Sequence, residues 1–136
     1  MSPKWRYFFP GYLWCLLNVL IGLGICLLGG AHGFAWRDGC LTARQKRLPG
    51  GALAQTWGWL ILYKADDPRS ESIDKHERVH VVQSFLLGPL FLLLYPAFFL
   101  GYWLHYKKDY WKAYYSMPFE AQAFRRQKTI NGWGTW

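Results

Sequence analysis

Histidine and acidic residues are scarce in this chain. Four His and eight Asp or Glu stand against sixteen Lys and Arg, for a formal net charge of +8. Four His cannot supply the many ligands of a His-box iron oxygenase. The three Cys, at 15, 26 and 40, are odd in number and form no CxxC pair, which excludes a disulfide framework and a Cys-based zinc site. The basic residues are scattered; Arg44, Lys46 and Arg47 are the only tight cluster in the first half, and nothing resembles a nucleic-acid module. Lys, Arg, Asp and Glu are absent from Tyr7 to Trp36 and again from Val79 to Tyr106. With 52% apolar and 20% aromatic residues, the positive balance points to a membrane protein with basic flanks rather than a nucleic-acid partner.

Against that background one stretch concentrates the chemistry: His76-Glu77-Arg78-Val79-His80. Residues four apart on a helix share a face, so both imidazoles can reach one Zn2+ ion. A Glu next to the first His can take a proton from water at the metal. Glu120 downstream is a third candidate ligand. The competing account is a chance pattern on a solvated helix face, but this one leads into an apolar run, where uncompensated charge is costly. Gln83 lies one turn after His80, placed to orient it through a hydrogen bond. Val79, Val82 and Leu86 are expected to pack on the other side.

The 136 residues suit one domain in four parts. Residues 1–32 read as a retained membrane anchor, with an apolar heart from Phe8 to Leu28 and an aromatic belt of Trp5, Tyr7, Tyr12 and Trp14. A cleaved signal peptide is the alternative, but the run is long for one and lacks an A-x-A site. Asn18 and glycines 22, 24, 29 and 30 suggest close packing against another helix. His32 reads as a polar interface residue, with facing the site as the alternative.

Residues 33–66 predict a small antiparallel sheet of two or three strands. Arg37-Asp38-Gly39 marks a hairpin and Pro49-Gly50-Gly51 a second turn. Thr56 to Tyr63 reads as a strand with Trp57, Trp59, Ile61 and Tyr63 on one face; as the last strand it would offer an edge to an extended peptide or simply prop up the helix.

Residues 67–128 hold the motif helix, capped by Asp67 with Pro68 or by Ser70. At 1.5 Å per residue, a straight helix through Val81 to Tyr106 would carry Glu120 out of reach of the His pair. Gly88-Pro89 resolves this by reversing the chain, which predicts a membrane-dipping helical hairpin, kinked again at Pro96. Pro118 then opens a short helix carrying Glu120. Residues 129–136 read as a loose tail. The predicted fold is therefore an α+β membrane protein: N-terminal transmembrane helix, small antiparallel sheet, HExxH helix running into a membrane-dipping hairpin, and a short C-terminal helix with the third ligand.

The blocks His76-Glu77-Arg78-Val79-His80-Val81-Val82-Gln83, Gly88-Pro89-Leu90-Phe91 and Pro118-Phe119-Glu120-Ala121-Gln122-Ala123-Phe124 resemble a group of small bacterial membrane-associated HExxH proteins with the pattern HERVHVxQ, GPLF, NPFExEAY. The resemblance spans roughly 33–127. It implies a gluzincin-like zinc site: His76, His80 and Glu120 as ligands, Glu77 as general base. Met117 stands where the pattern has Asn, and Gln122 where it has a Glu able to orient a ligand His. The resemblance favours Tyr114 as the oxyanion donor over Tyr115, His105 and Arg125, all of which also fit as interface anchors.

The function expected is membrane-embedded zinc peptidase activity on a peptide or protein substrate, with the lipid bilayer as the other partner. The alternative is a non-catalytic membrane metal-binding or interaction subunit. Arg37, Arg44, Lys46 and Arg47 outnumber Lys4 and Arg6, which favours a cytoplasmic site at a bacterial inner membrane.

Overall fold

A computed structural model describes residues 9–37, 39–48, 52–65 and 71–127. Trp5 and Tyr7 of the expected belt, Asp38 of the hairpin apex, the Pro49-Gly50-Gly51 turn, the Asp67, Pro68 and Ser70 cap and the tail from 129 lie outside them. Along the chain come α1 (Phe9–Trp14), α2 (Leu16–Gly29), β1 (His32–Arg37), β2 (Cys40–Gln45), β3 (Ala54–Trp57), β4 (Leu60–Lys64), α3 (Glu71–Leu87), α4 (Leu90–His105), α5 (Tyr110–Ser116) and α6 (Pro118–Gln127).

The sheet is mixed, not antiparallel, and has four strands in the order β1-β2-β4-β3. Two antiparallel hairpins, β1–β2 and β3–β4, are joined by parallel pairing of β2 with β4, from Leu41↔Leu60 to Gln45↔Lys64. The segment expected to be one strand from Thr56 to Tyr63 is broken at Gly58, whose φ of +64° makes the β3–β4 turn. β4 becomes central and is buried on both faces, as continuous apolar strands of parallel pairs usually are. Leu60 and Leu62 pack with Val19 and Cys26 of α2. Ile61 and Tyr63 point the other way, into a cluster with Cys15, Cys40, Val81 and Phe85. Burial there pushes the Cys15 thiol up to about 12, consistent with an inert packing role.

The expected transmembrane anchor is overturned. Among the described residues no single helix is long and apolar enough to cross a membrane. α1 and α2 meet at Cys15, where φ −99° and ψ 20° depart from helical values. α2 has 14 residues, about 21 Å of helix against about 30 Å of hydrocarbon. Its Asn18, Val19, Gly22 and Cys26 are buried. The apolar run thus covers one face of the sheet. Tyr12 and Trp14 of the expected belt both make contacts within the protein. The Tyr12 hydroxyl donates to the Gly39 carbonyl at 2.8 Å, and the Trp14 indole lies where a Cβ on Gly88 would stand, 2.3 Å away.

α3 and α4 are apolar enough for a membrane only when taken together as a bent pair, and neither is long and apolar enough alone. From His76 to Val81 every residue is buried within the protein. α3 and α4 are bent by 118° at Gly88-Pro89, where Gly88 has φ +57°. The bend turns α4 aside so that α5 and α6 return to α3.

Two α2 glycines predict opposite effects. A Cβ at Gly22 would lie 2.6 Å from the Trp57 Cβ, whereas a Cβ at Gly24 meets nothing within 4 Å. Gly22→Ala is expected to destabilise by about 1–3 kcal/mol through overpacking. Gly24→Ala is expected to stabilise by about 0.5–1 kcal/mol through backbone entropy. Urea denaturation midpoints of the two variants measure this; equal shifts would contradict the packing described.

Candidate metal centre

α3 and α6 lie side by side and bring together side chains distant in sequence. His76, Glu77 and His80 project from α3 and are 6%, 7% and 6% exposed; Glu120, in the first turn of α6, is 2% exposed. The Nε2 atom of His76 is 2.9 Å from Glu120 Oε2, and that of His80 is 3.1 Å from Glu120 Oε1. Each of the three residues offers a ligand atom within 4.8 Å of the others, so this buried His-His-Glu group could hold a metal ion. Two donors each ~2.1 Å from a tetrahedral ion stand ~3.4 Å apart, so a small opening of these contacts admits one. Oxygen and imidazole donors suit Zn2+ among other first-row cations.

The surroundings hold the donors in place. Gln83 Oε1 lies 2.7 Å from His80 Nδ1. With the Nδ1 proton donated to that oxygen, Nε2 is the nitrogen that faces Glu120 and would bind a metal once its own proton is displaced. Gln83 is itself fixed: its Nε2 donates to the Phe119 carbonyl at 3.0 Å and to Gln122 Oε1 at 2.8 Å. Gln122 therefore acts on His80 through Gln83, although it departs from the acidic residue of the resembled pattern. The Tyr95 hydroxyl donates to Glu120 Oε1 at 2.6 Å. The Thr56 hydroxyl on β3 lies 2.7 Å from Glu77 Oε2. Sequence reasoning missed Tyr95, Thr56 and the Gln122 contact. Tyr95 was hidden in a run read as lipid-facing, although it is the one residue with a hydrogen-bonding side chain between Ser84 and Tyr102.

Tyr114 lines a cavity of about 480 Å³ together with Glu77, His80, Tyr95 and Glu120. Burial, and then the Glu120 and Glu77 charges, hold its hydroxyl in the neutral form. Tyr115 is 54% exposed and packs on Phe124. Arg125 is exposed on α6, His105 packs edge-on against Tyr106 at the end of α4, and His32 is exposed on β1. Among the described residues neither His32 nor His105 joins the group.

Electrostatics divide the carboxylates. For Glu77 burial dominates and raises the pKa, against the opposing pull of His80, His76 and Thr56. For Glu120 burial alone would raise it. The His80 charge and the hydrogen bonds from His76, His80 and Tyr95 outweigh burial and hold it well below the usual carboxylate range. Burial alone would lower the His80 pKa, but the Glu120 carboxylate overrides it and raises the value to about 9.

Comparison with family models, curated proteins and solved structures returned no match.

A cation entering the group must displace the proton on His80. Apparent affinity for Zn2+ should rise about tenfold per pH unit on approaching pH 9 and level off above it. In chelator-treated protein the His80–Glu120 pair works in the other sense. Because the folded His80 pKa lies above its ordinary 6.5, its stabilisation is complete below that value and lost as pH rises through about 9. Competition with a chromophoric chelator between pH 6 and 9 measures the affinity; a flat profile would contradict the pairing.

Proposed function

We propose that the protein is a zinc metallopeptidase of the small HExxH type that the motif blocks resemble. One observation carries the reading: His76, His80 and Glu120 converge while Glu77, on the same helix, stands outside that trio and lines the adjoining cavity. Bound there, Zn2+ would supply a Lewis acid that lowers the pKa of water and polarises a carbonyl. The chain's own groups do the rest. Glu77, with its raised pKa, takes a proton from the attacking water and returns it to the leaving amine. Thr56 holds the Glu77 carboxylate at the foot of β3. Tyr114, neutral and lining the cavity, serves as donor to the developing oxyanion. Gln83 keeps His80 in one orientation.

The substrate edge belongs to β3, since β4 is central. β3 is one of the two outer strands of the sheet, and Ala54, Gln55, Thr56 and Trp57 all line the cavity. An extended peptide added to this edge would pass the metal group. The rival reading, a metal used only as a structural staple, calls for four protein ligands, and three converge among the described residues.

The same reading keeps the lipid bilayer as a partner, now without a crossing helix. Its support is the exposed apolar surface: Leu27 and Leu28 on α2, and Leu93, Leu100 and Leu104 on α4, between 51% and 92% exposed. Beyond α4, Lys108 lies 5.8 Å from the Trp103 ring and Lys112 4.7 Å from that of Tyr106. Aromatic and basic residues at such an edge suit lipid headgroups.

Glu77→Gln should retain about one Zn2+ and lose hydrolysis, by at least about 100-fold. His80→Ala should lose the metal as well. Metal analysis paired with fluorogenic peptide cleavage checks both; wild-type cleavage by Glu77→Gln would sink the assignment. For the bilayer, flotation should place the protein with vesicles containing anionic lipid, less so when salt is raised from 0.05 to 0.5 M. Failure to float at any salt would remove lipid as a partner.

A further inference from the structure

The cavity beside the metal group is walled by a residue from the far end of the chain. Asn18 of α2 is 1% exposed and lines that cavity. Its Nδ2 donates to the Gly88 carbonyl at 3.1 Å. That bond fixes which end of the amide is which, and the other end is left over: Asn18 Oδ1 is buried without a hydrogen-bond partner. An acceptor stranded in this way is costly, and buried polar groups are almost always satisfied. The other such oxygen among the described residues, Gln45 Oε1, belongs to a residue that does not line this cavity. Among the described residues Asn18 alone combines an unmet buried acceptor with a place in the wall of a space large enough for a ligand.

The rest of that wall is apolar. Trp57, Phe91, Leu92 and Pro96 face the same space. The cavity therefore asks for a large apolar group next to an N–H donor. An extended peptide has both, since each large side chain springs from a residue that also carries an N–H.

We propose that Asn18 is a substrate-binding residue, whose Oδ1 accepts a backbone N–H from a peptide that seats a large apolar or aromatic side chain between Trp57, Phe91 and Leu92. The inference rests on the peptidase reading and names what that site prefers. It also gives α2 a part in recognition: the helix that covers the sheet supplies one contact to the ligand and one to the α3–α4 corner.

The test uses zinc-loaded Glu77→Gln protein, so that binding is read without turnover. The probes are acetyl-Ala-Phe-amide and its ester analogue, in which oxygen replaces the Phe N–H, titrated by ligand-observed NMR. With Asn18 present the amide should bind about tenfold tighter than the ester, the loss expected for one hydrogen bond to a buried acceptor. With Asn18→Leu the two should bind alike. This comparison lies within each protein, so a general weakening of the variant does not mimic it. Leu92→Trp, which fills the cavity, should abolish binding of both probes and leave zinc content unchanged. Equal affinities in the presence of Asn18, or no binding of either probe at millimolar concentration, would overturn the proposal. The two readings fail separately. Glu77-dependent hydrolysis unaffected by Asn18→Leu would overturn the role of Asn18 and leave the peptidase standing. Discrimination by the N–H with no hydrolysis by the Glu77 protein would do the reverse.

Discussion

A buried carboxylate shared by two imidazoles sets the terms for the rest of this fold. Glu120 is 2% exposed and meets His76, His80 and Tyr95 at once. Such a group is tolerable only when paired and hydrogen-bonded, because an uncompensated charge at that depth would cost several kcal/mol or neutralise itself. The pairing couples α6 to α3 and requires the chain to come back after α4. Gly88-Pro89 makes that return possible. The short α5, capped by Asp109 through the Lys112 amide at 3.2 Å, and the extended Met117 set the angle at which α6 arrives. Met117 is fully buried, so the position where the resembled pattern has Asn serves packing here.

The N-terminal helices support the same centre indirectly. They lie on the sheet at close range: any side chain on Gly58 would come within 2.9 Å of the Cys15 carbonyl oxygen. From that seat Trp14 covers Gly88, and Asn18 binds its carbonyl. The corner that turns the chain towards α6 is therefore braced by residues some seventy positions earlier. A left-handed glycine at a helix break would otherwise be a soft point.

The sequence exposed this centre unevenly, and for physical reasons. Helical periodicity put His76 and His80 on one face, and the Gly88-Pro89 break with a later Pro-Phe-Glu pointed to a returning chain; all of that is local chemistry. The anchor was misread because a helix covering an apolar sheet and a helix facing lipid draw on the same residues, and α2 is short mainly by virtue of the bend at Cys15. The mixed sheet was misread because the β2–β4 pairing is non-local and because Gly58 hid inside an alternating run. Gln83 was legible from its spacing to His80. Thr56, Tyr95 and Gln122 were not, since each acts across elements and no spacing rule links them to the motif.

The middle of the motif explains why the helix can hold this centre in one orientation. Arg78 has no exposed surface. Its guanidinium donates to Asp74 Oδ2 at 3.1 Å, to the Arg37 carbonyl at 3.1 Å and towards Cys40 Sγ at 3.8 Å. The Tyr63 hydroxyl hydrogen-bonds to the other oxygen of Asp74. Thus β1, β2 and β4 all grip α3 through one buried cation and its carboxylate. Successive residues on a helix are turned by about 100°, so Arg78 lies roughly opposite the line joining His76 and His80. One charged cluster binds the sheet while the other faces α6. A rotation of α3 that moved either set would strand a buried charge on both sides at once. The phase of the helix, and with it the aim of both imidazoles, is fixed by two polar networks that cannot be relaxed independently.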